Sequence, residues 1–309
     1  MPDDHEELSP PPGQDEPSPA GPAGDPDSVV PATEAQKEQA KRQFELKMRV
    51  RETLDDIDQT ICIMSGKGGV GKSTLAVNLA VAFAQAGLDT GLGDFDFTNP
   101  NDPTMLGLSG EHMEAYDEDL VKPKQARDNL RMVSTGFLVE GEAPIAWRGP
   151  IKMGVMRQFL ADLKWDHLDV FVVDLPPGTS DEALSVAQTF PSGTPCIIVT
   201  TPQETSAENV RQNVEFCEKN GLEVVGVVEN FAGMRCPSCG DHVEAFPGDG
   251  GDRLAREAGT EVLTRLPLVP AISQAQDEGT PAVEMEPSNA AGDRLVELAD
   301  DLQDRVLAN

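Results

Sequence analysis

Apolar positions in this chain fall into short unbroken runs rather than a polar–apolar alternation. ICIMS (Ile61–Ser65), LDVFVVD (Leu168–Asp174), TPCIIVT (Thr194–Thr200) and LEVVGVVEN (Leu222–Asn230) are nearly continuous in Val, Ile and Leu, and each empties into a loop. TGLGDFD, starting at Thr90, reads as a further strand. Between the runs lie helix-like stretches, STLAVNLAVAFAQAG closed by Gly87 and SAENVRQNVEFCEKNG. Strands apolar on both parities must be covered on both faces, as in parallel sheets with crossover helices. The expected fold is therefore α/β, a doubly wound and mostly parallel sheet with helices on both faces. Sites in such sheets lie at the carboxyl ends of the strands. Upstream the pattern changes. Residues 1–33 are acidic, proline-rich and nearly free of large apolar groups, so they are expected to form a disordered tail. Residues 34–58 carry Phe44, Met48, Val50 and Leu54 at loosely helical spacing and are expected to form one amphipathic helix. Residues 59–309 carry the fold.

Charge narrows the partners. With 54 acidic and 24 basic residues in 309, the formal net charge is −30. That excess opposes binding to nucleic acid, which needs clustered Lys and Arg, and adsorption to anionic lipid. It suits a halophilic, high-salt cytoplasm, where screening weakens self-repulsion. No apolar run approaches the ~20 residues of a membrane helix. Five cysteines spread along the chain do not resemble a secreted disulfide framework. The expected location is cytoplasmic, with no membrane and no nucleic-acid partner.

The sharpest motif is Gly66-Lys67-Gly68-Gly69-Val70-Gly71-Lys72-Ser73, a full match to G-x-x-x-x-G-K-[ST]. It follows an expected strand and opens an expected helix, the context in which backbone N–H groups and the helix N-terminus cradle phosphates. Lys72 is expected to reach the β- and γ-phosphates of ATP, Ser73 to ligate Mg²⁺, and Thr74 to add a donor. A glycine-rich turn without a ligand is the plainer alternative.

The second lysine, Lys67, makes the stretch KGGVGKST, a deviant Walker A sequence. Here the chain resembles the P-loop ATPases of the Mrp/ApbC (Mrp/NBP35) family, iron–sulfur cluster carriers related to the nitrogenase iron protein and to MinD and ParA. The resemblance runs from about Ile61 to Val283. It implies a homodimer in which Lys67 reaches the partner's nucleotide, making ATP hydrolysis slow and dimer-dependent; the bland reading of Lys67 is a solvated loop lysine. In GDFDFTNPND it implies that Asp96 orients the attacking water or the Mg²⁺ surroundings, with Asp94 behind it, although paired acids at a strand end can simply cap a turn. Asp174 of VVDLPPG matches the Walker B aspartate, with Pro176–Gly178 as a switch. Asn230 matches the adenine-reading asparagine, and Pro267 with Pro270 in LTRLPLVPAI an adenine-side loop. Lys67, Lys72 and Asp96 are thus the catalytic candidates. Trp147-Arg148-Gly149-Pro150 matches a W-R-G-P segment, either near the dimer face or a plain turn. The chain departs from the family pattern in the switch, DFDFTNPN, and at Val269, where relatives often carry an acid.

VENFAGMRCPSCG matches the family segment ending in C-P-x-C-G. The resemblance implies that Cys236 and Cys239 from each of two subunits supply the four thiolates of a [4Fe–4S] cluster, carried for apo iron–sulfur proteins. From the residues alone, four thiolates suit zinc equally, His242 permits a Cys₂His site within one chain, and a redox pair is conceivable. Cys62 and Cys196 sit in apolar runs and Cys217 on an expected helix, and all three read as packing; Met105, Met113, Met132, Met153 and Met156 read as ordinary core or loop residues. Two other functions stand beside the carrier. A positional ATPase of the MinD or ParA kind, with the knuckle as a zinc staple, wants a basic membrane helix or DNA surface, whereas the chain's last helix is acidic. An ATP-gated electron-transfer iron protein usually places its cysteines far apart.

Overall fold

The computed structural model describes residues 33–115, 120–138, 157–203, 207–236 and 238–307. The tail up to residue 32, the Trp147–Pro150 segment, Met153 and Met156, and Pro237 of the knuckle lie outside the described residues. Two units are distinguished, residues up to Arg42 and Gln43–Asn309. In the first, the opening turns of helix α1 (Glu34–Asp55) carry exposed pairs, Lys37 with Glu34 and Arg42 with Glu38, each worth about 0.2–0.5 kcal/mol.

The second unit holds the rest of α1 and the sheet. The stripe of α1 that meets the core is Leu46, Val50 and Leu54, spaced by four. Phe44 and Met48, expected on that stripe, are 64% and 41% exposed. The helix also ends earlier than expected, at Asp55, because Ile57 already pairs with Leu168 in the sheet.

The strands are β1 (Ile57–Ser65), β2 (Thr90–Asp94), β3 (Glu114–Ala115), β4 (Val121–Lys122), β5 (Lys124–Arg127) and β6 (Leu130–Ser134). There follow β7 (Leu168–Asp174), β8 (Thr194–Thr200), β9 (Leu222–Asn230), β10 (Met234–Arg235), β11 (His242–Val243) and β12 (Val262–Leu266). The main sheet orders them β12-β9-β8-β1-β7-β2-β6-β5, parallel throughout except for β5 against β6. The helices that follow α1 are α2 (Lys72–Gln85), α3 (Asp102–Met105), α4 (Asp181–Ala187), α5 (Ala207–Lys219), α6 (Gly250–Glu257), α7 (Pro270–Asp277) and α8 (Ala290–Leu302).

Each central strand feeds two cores. Ile61 and Ile63 of β1 point to the side of Leu79 and Phe83 of α2 and Leu295 and Leu298 of α8. Cys62 and Met64 point to the side of Val186 of α4, Val214 and Cys217 of α5 and Leu254 of α6. Both parities of the strand are buried, which is why its sequence is an unbroken apolar run. In β2 the second face is too crowded for side chains: a Cβ on Gly93 would lie 2.6 Å from Phe95 and 2.7 Å from Phe171. The motif TGLGD is the consequence. β1 lies between β7 and β8, and the chain passes over β7 to form β2. The strand order therefore reverses at the end of β1, where doubly wound sheets bind ligands.

Candidate nucleotide site and cysteine knuckle

Beyond Ser65 the chain turns as a loop whose curvature depends on glycine. Gly69 and Gly71 adopt φ of 77° and 92°, left-handed values that disfavour any side chain. Gly71 has a second constraint, because a Cβ there would fall 2.1 Å from Nδ2 of Asn230. Ser65 Oγ donates to the Lys67 carbonyl at 2.9 Å. Lys67, Gly68 and Gly69 are exposed, while Val70 is buried as the loop's anchor. Helix α2 starts at Lys72, so the loop opens directly onto a helix N-terminus.

Lys72 and Ser73 both meet Asp174 at the end of β7. Lys72 Nζ donates to Asp174 Oδ1 at 2.6 Å, and Ser73 Oγ to Oδ2 at 2.6 Å. Burial works against the Lys72 ammonium, but the charge and hydrogen bond of Asp174 override it and hold the lysine above its ordinary value. Thr74 Oγ1 donates to Gln276 of α7 at 3.3 Å. The loop, Lys72–Thr74, Asp96, Asn99, Pro177 and Phe231 line a cleft of about 500 Å³. The Asp174 loop folds against it, with Gly178 N–H donating to the Ser65 carbonyl at 2.8 Å.

Asp94 is fully buried between β6 and β7, paired in register with Ser134 and Asp174. It accepts from Asp96 N–H at 3.1 Å and from Ser134 Oγ at 2.9 Å, so it orients Asp96 from behind. Burial, and then the charge of Asp174, push its carboxyl up to about 7. Asp96 lines the cleft while its Oδ1 accepts from Thr98 and Asn99 N–H. Turn capping and a place in the cleft are thus combined in one carboxylate.

One residue the sequence reading missed joins these. Asp102, at the start of α3, is 0% exposed and neither carboxylate oxygen has a hydrogen-bond partner. It approaches Asp94 and Asp174 closely enough for one oxygen of each to lie within 4.8 Å of the others. Burial and these neighbours push its carboxyl well above the usual range. A buried, unsatisfied carboxylate close to the Asp174 that holds the P-loop serine fits a hard divalent cation, and the open glycine loop fits phosphate.

Asn230, at the end of β9, turns inward. Its Nδ2 donates to the Val70 carbonyl at 2.9 Å and its Oδ1 accepts from Phe231 N–H. The amide holds the loop to the sheet, and Asn230 is not among the residues lining the cleft. Phe231, another residue not foreseen, does line it, in a left-handed conformation with φ of 60°. Pro267 lies between two residues that bond the knuckle's approach: the Leu266 carbonyl accepts from Ala232, and Leu268 N–H donates to the Gly233 carbonyl. Val269 caps α7 without a side-chain hydrogen bond.

The knuckle is a short hairpin in which β10 pairs with β11. Cys236 N–H donates to the Asp241 carbonyl and Gly240 N–H to that of Cys236, both at 2.8 Å. The Cys239 N–H, and then that of Ser238, point at the Cys236 sulfur and hold its thiol below its ordinary value, as a metal-binding thiolate requires. Cys236 is half-buried and Cys239 exposed. The His242 ring packs on Gly233, where a Cβ would meet it at 2.5 Å. It does not join the two thiols in a three-ligand set among the described residues. Cys62, Cys196 and Cys217 are fully buried, with Cys217 Sγ 3.1 Å from Met64 Sδ. They pack the core, and burial raises the Cys62 thiol.

Residues 56–303 match the ParA family described as NUBPL iron-transfer P-loop NTPase. The iron-sulfur cluster carrier protein of Methanocaldococcus jannaschii is 39% identical over 236 residues, covering 76% of this chain and 81% of its own. The cytosolic Fe-S cluster assembly factor NUBP2 homolog of Monosiga brevicollis is 40% identical over 235 residues, covering 74% and 82%. Among solved structures, a nucleotide-binding protein from Archaeoglobus fulgidus in complex with ADP superposes with a TM-score of 0.66 at 32% identity, covering 79% of this chain and 98% of its own. The cell division ATPase MinD of Pyrococcus furiosus does so at 0.61 and 25%, covering 80% and 99%. Sheet order, P-loop context and these likenesses agree: the chain belongs to the NUBPL iron-transfer family of P-loop NTPases.

Proposed function

We propose that this protein is an ATP-binding and ATP-hydrolysing iron–sulfur cluster carrier that takes a [4Fe–4S] cluster between two copies of itself and delivers it to apo-proteins in the cytoplasm. The observation that carries this reading is the knuckle. It presents two thiols at the surface, one of them favoured as thiolate, with no third ligand beside them among the described residues. Half of a four-thiolate set calls for an equal half, and a second copy supplies it with the same geometry. The relatives named as cluster carriers and assembly factors support the cargo assignment.

At the nucleotide cleft, Gly66–Gly71 would wrap the phosphates, with Lys72 and Ser73 meeting the phosphates and Mg²⁺, and Asp174 holding both side chains. Bound Mg²⁺ supplies charge neutralisation on the phosphate oxygens. Asp96 would position the attacking water, held by Asp94. Exposed Lys67 is free to reach a partner's nucleotide, which makes hydrolysis dimer-dependent. Asn230 serves the base only by keeping its bond to Val70 and using its remaining hydrogen and lone pair. A positional ATPase is disfavoured because the apolar face of α8, the face a membrane helix would need, is occupied by core packing through Leu295, Leu298 and Leu302. No helix among the described residues is long and apolar enough to cross a membrane.

Anaerobic reconstitution with ferrous iron and sulfide tests the proposal, in wild type and in Cys236→Ala/Cys239→Ala, with iron, sulfide, zinc and oligomeric mass read on the same samples. About four irons and four sulfides per wild-type dimer, absent in the variant, are expected. One zinc per dimer that iron does not displace would make the knuckle a staple and sink the carrier reading.

A further inference from the structure

We propose that Asp94, Asp102 and Asp174 form a binding site for a hard divalent cation of the Mg²⁺ or Mn²⁺ kind, which the chain holds before any nucleotide arrives. The three carboxylates converge from separate elements, the ends of β2 and β7 and the start of α3, and each is 0% exposed. One oxygen from each lies within 4.8 Å of the others. Three oxygens so spaced have a common centre no more than about 2.8 Å from each, so small side-chain shifts reach the distances such cations take from oxygen, roughly 2.0–2.6 Å.

Asp102 is what sets this cluster apart from an ordinary acidic patch. Asp94 has Ser134 and a backbone N–H, and Asp174 has Lys72 and Ser73. Asp102 has neither a donor nor solvent on either oxygen. A buried carboxylate without a partner costs several kcal/mol in its charged form, so the position is retained against stability unless something occupies it. Charge gives the valence. With all three carboxylates ionised, as ligation of a cation demands, the Lys72 ammonium leaves −3 + 1 = −2, which one divalent cation cancels. The cluster lies one residue behind the cleft: Lys72 and Ser73, which line it, both bond Asp174, and Asp96, which also lines it, bonds Asp94. A cation taking Asp174 Oδ1 would free the Lys72 ammonium, now 2.6 Å from that oxygen, to face the loop. The site concerns the nucleotide-free protein and does not rest on the carrier reading, since the knuckle contributes no ligand.

The test is Mn²⁺ binding to chelator-treated, nucleotide-free, full-length protein, read by loss of the free-Mn²⁺ electron paramagnetic signal in high monovalent salt. One saturable Mn²⁺ per chain is expected in wild type and in Cys236→Ala/Cys239→Ala. Asp102→Asn, nearly isosteric, is expected to weaken it at least tenfold while leaving the near-UV circular dichroism and metal-free ADP binding unchanged. Should Asp102→Asn fail to fold, Ser134→Ala, which removes a donor from Asp94, provides the second variant and is expected to alter the affinity. Exposed Asp58 and His167 with half-buried Asp169 form the other three-ligand group among the described residues, and His167→Ala controls for it. The proposal is overturned if no saturable Mn²⁺ binds, if His167→Ala removes the binding, or if a folded Asp102→Asn binds as wild type does. ADP binding lost throughout with Mn²⁺ binding intact would strike the nucleotide reading instead.

Discussion

Lys72→Ala is the usual way to disable a P-loop, and in this protein it should do more than that. The ammonium is 6% exposed and pairs with an aspartate that is fully buried, with Asp94 and Asp102 close by. Removing one partner of a buried pair costs about 3–5 kcal/mol because the other charge stays behind uncompensated. That is a large part of the roughly 5–15 kcal/mol that holds a domain together. The loss has a pH signature. The folded-state carboxyl of Asp94 is raised from 3.8 to about 7, and at 1.36 kcal/mol per unit its ionisation opposes folding by about 4 kcal/mol once the pH exceeds both values. The sign follows: stability from this group is fully present below its unfolded value and is lost as pH rises through about 7. Without Lys72 the carboxylates repel more strongly, so acid rescues the variant more than wild type. Urea unfolding of chelator-treated, nucleotide-free protein should therefore show a deficit of about 3–5 kcal/mol for Lys72→Ala at pH 8 and no more than about half of it at pH 5.5. Adding Asp174→Asn to Lys72→Ala should recover most of it. A deficit under about 1 kcal/mol at pH 8, or a double variant no better than the single one, would refute the argument that Lys72 is the counter-ion of this buried cluster.

Two further outcomes follow from backbone geometry and from net charge. Gly71→Ala should cost about 2–4 kcal/mol, from the left-handed φ and from displacing Asn230 off Val70, and a loss under about 0.5 kcal/mol by urea unfolding would mean the loop relaxes freely. With 54 acids against 24 bases, thermal stability should rise steadily between 0.1 and 2 M KCl as self-repulsion is screened; a midpoint independent of salt would remove the argument for salt adaptation.

Much of this was legible in the sequence because it is written locally. The unbroken runs of β1, β7, β8 and β9 declared strands covered on both faces, and the glycine pattern before Lys72 declared the loop. Thiols inside apolar runs separated Cys62 and Cys196 from Cys236 and Cys239. What stayed hidden depends on long-range placement. Asp102 reads as an ordinary loop acid next to a proline, since only the folded chain brings the start of α3 to Asp94 and Asp174 at the ends of β2 and β7. β12 was not distinguished from the loop around Pro267, because it is an edge strand whose exposed Arg265 bonds Glu229 and Asp252 and breaks the apolar pattern. In α1 two overlapping apolar stripes were available, and the sequence does not say which one meets the sheet; the one containing Leu46 does. Asn230 was recognised by position, but its bonds to Val70 and Phe231 follow from how closely the loop approaches β9.

That approach ties the two sites together. Asn230 ends the strand, grips the nucleotide loop through Val70 and fixes the next residue, Phe231, in a strained conformation facing the cleft. Ala232 and Gly233 are then bonded to Leu266 and Leu268, and the hairpin that presents Cys236 begins at Met234. Five residues lie between Asn230 and Cys236, at most about 20 Å of chain, and backbone bonds to the β12 edge hold the middle of that span. The knuckle is therefore not a module hung on a flexible tether. Its base cannot shift without moving Phe231 or breaking bonds to Leu266 and Leu268, and Phe231 cannot shift without disturbing the amide that holds the phosphate loop. The proposed half-site for a metal cargo and the proposed cleft for a nucleotide thus share one strand end and one short run of hydrogen-bonded backbone, a contiguous path along which binding at one site would bias the other.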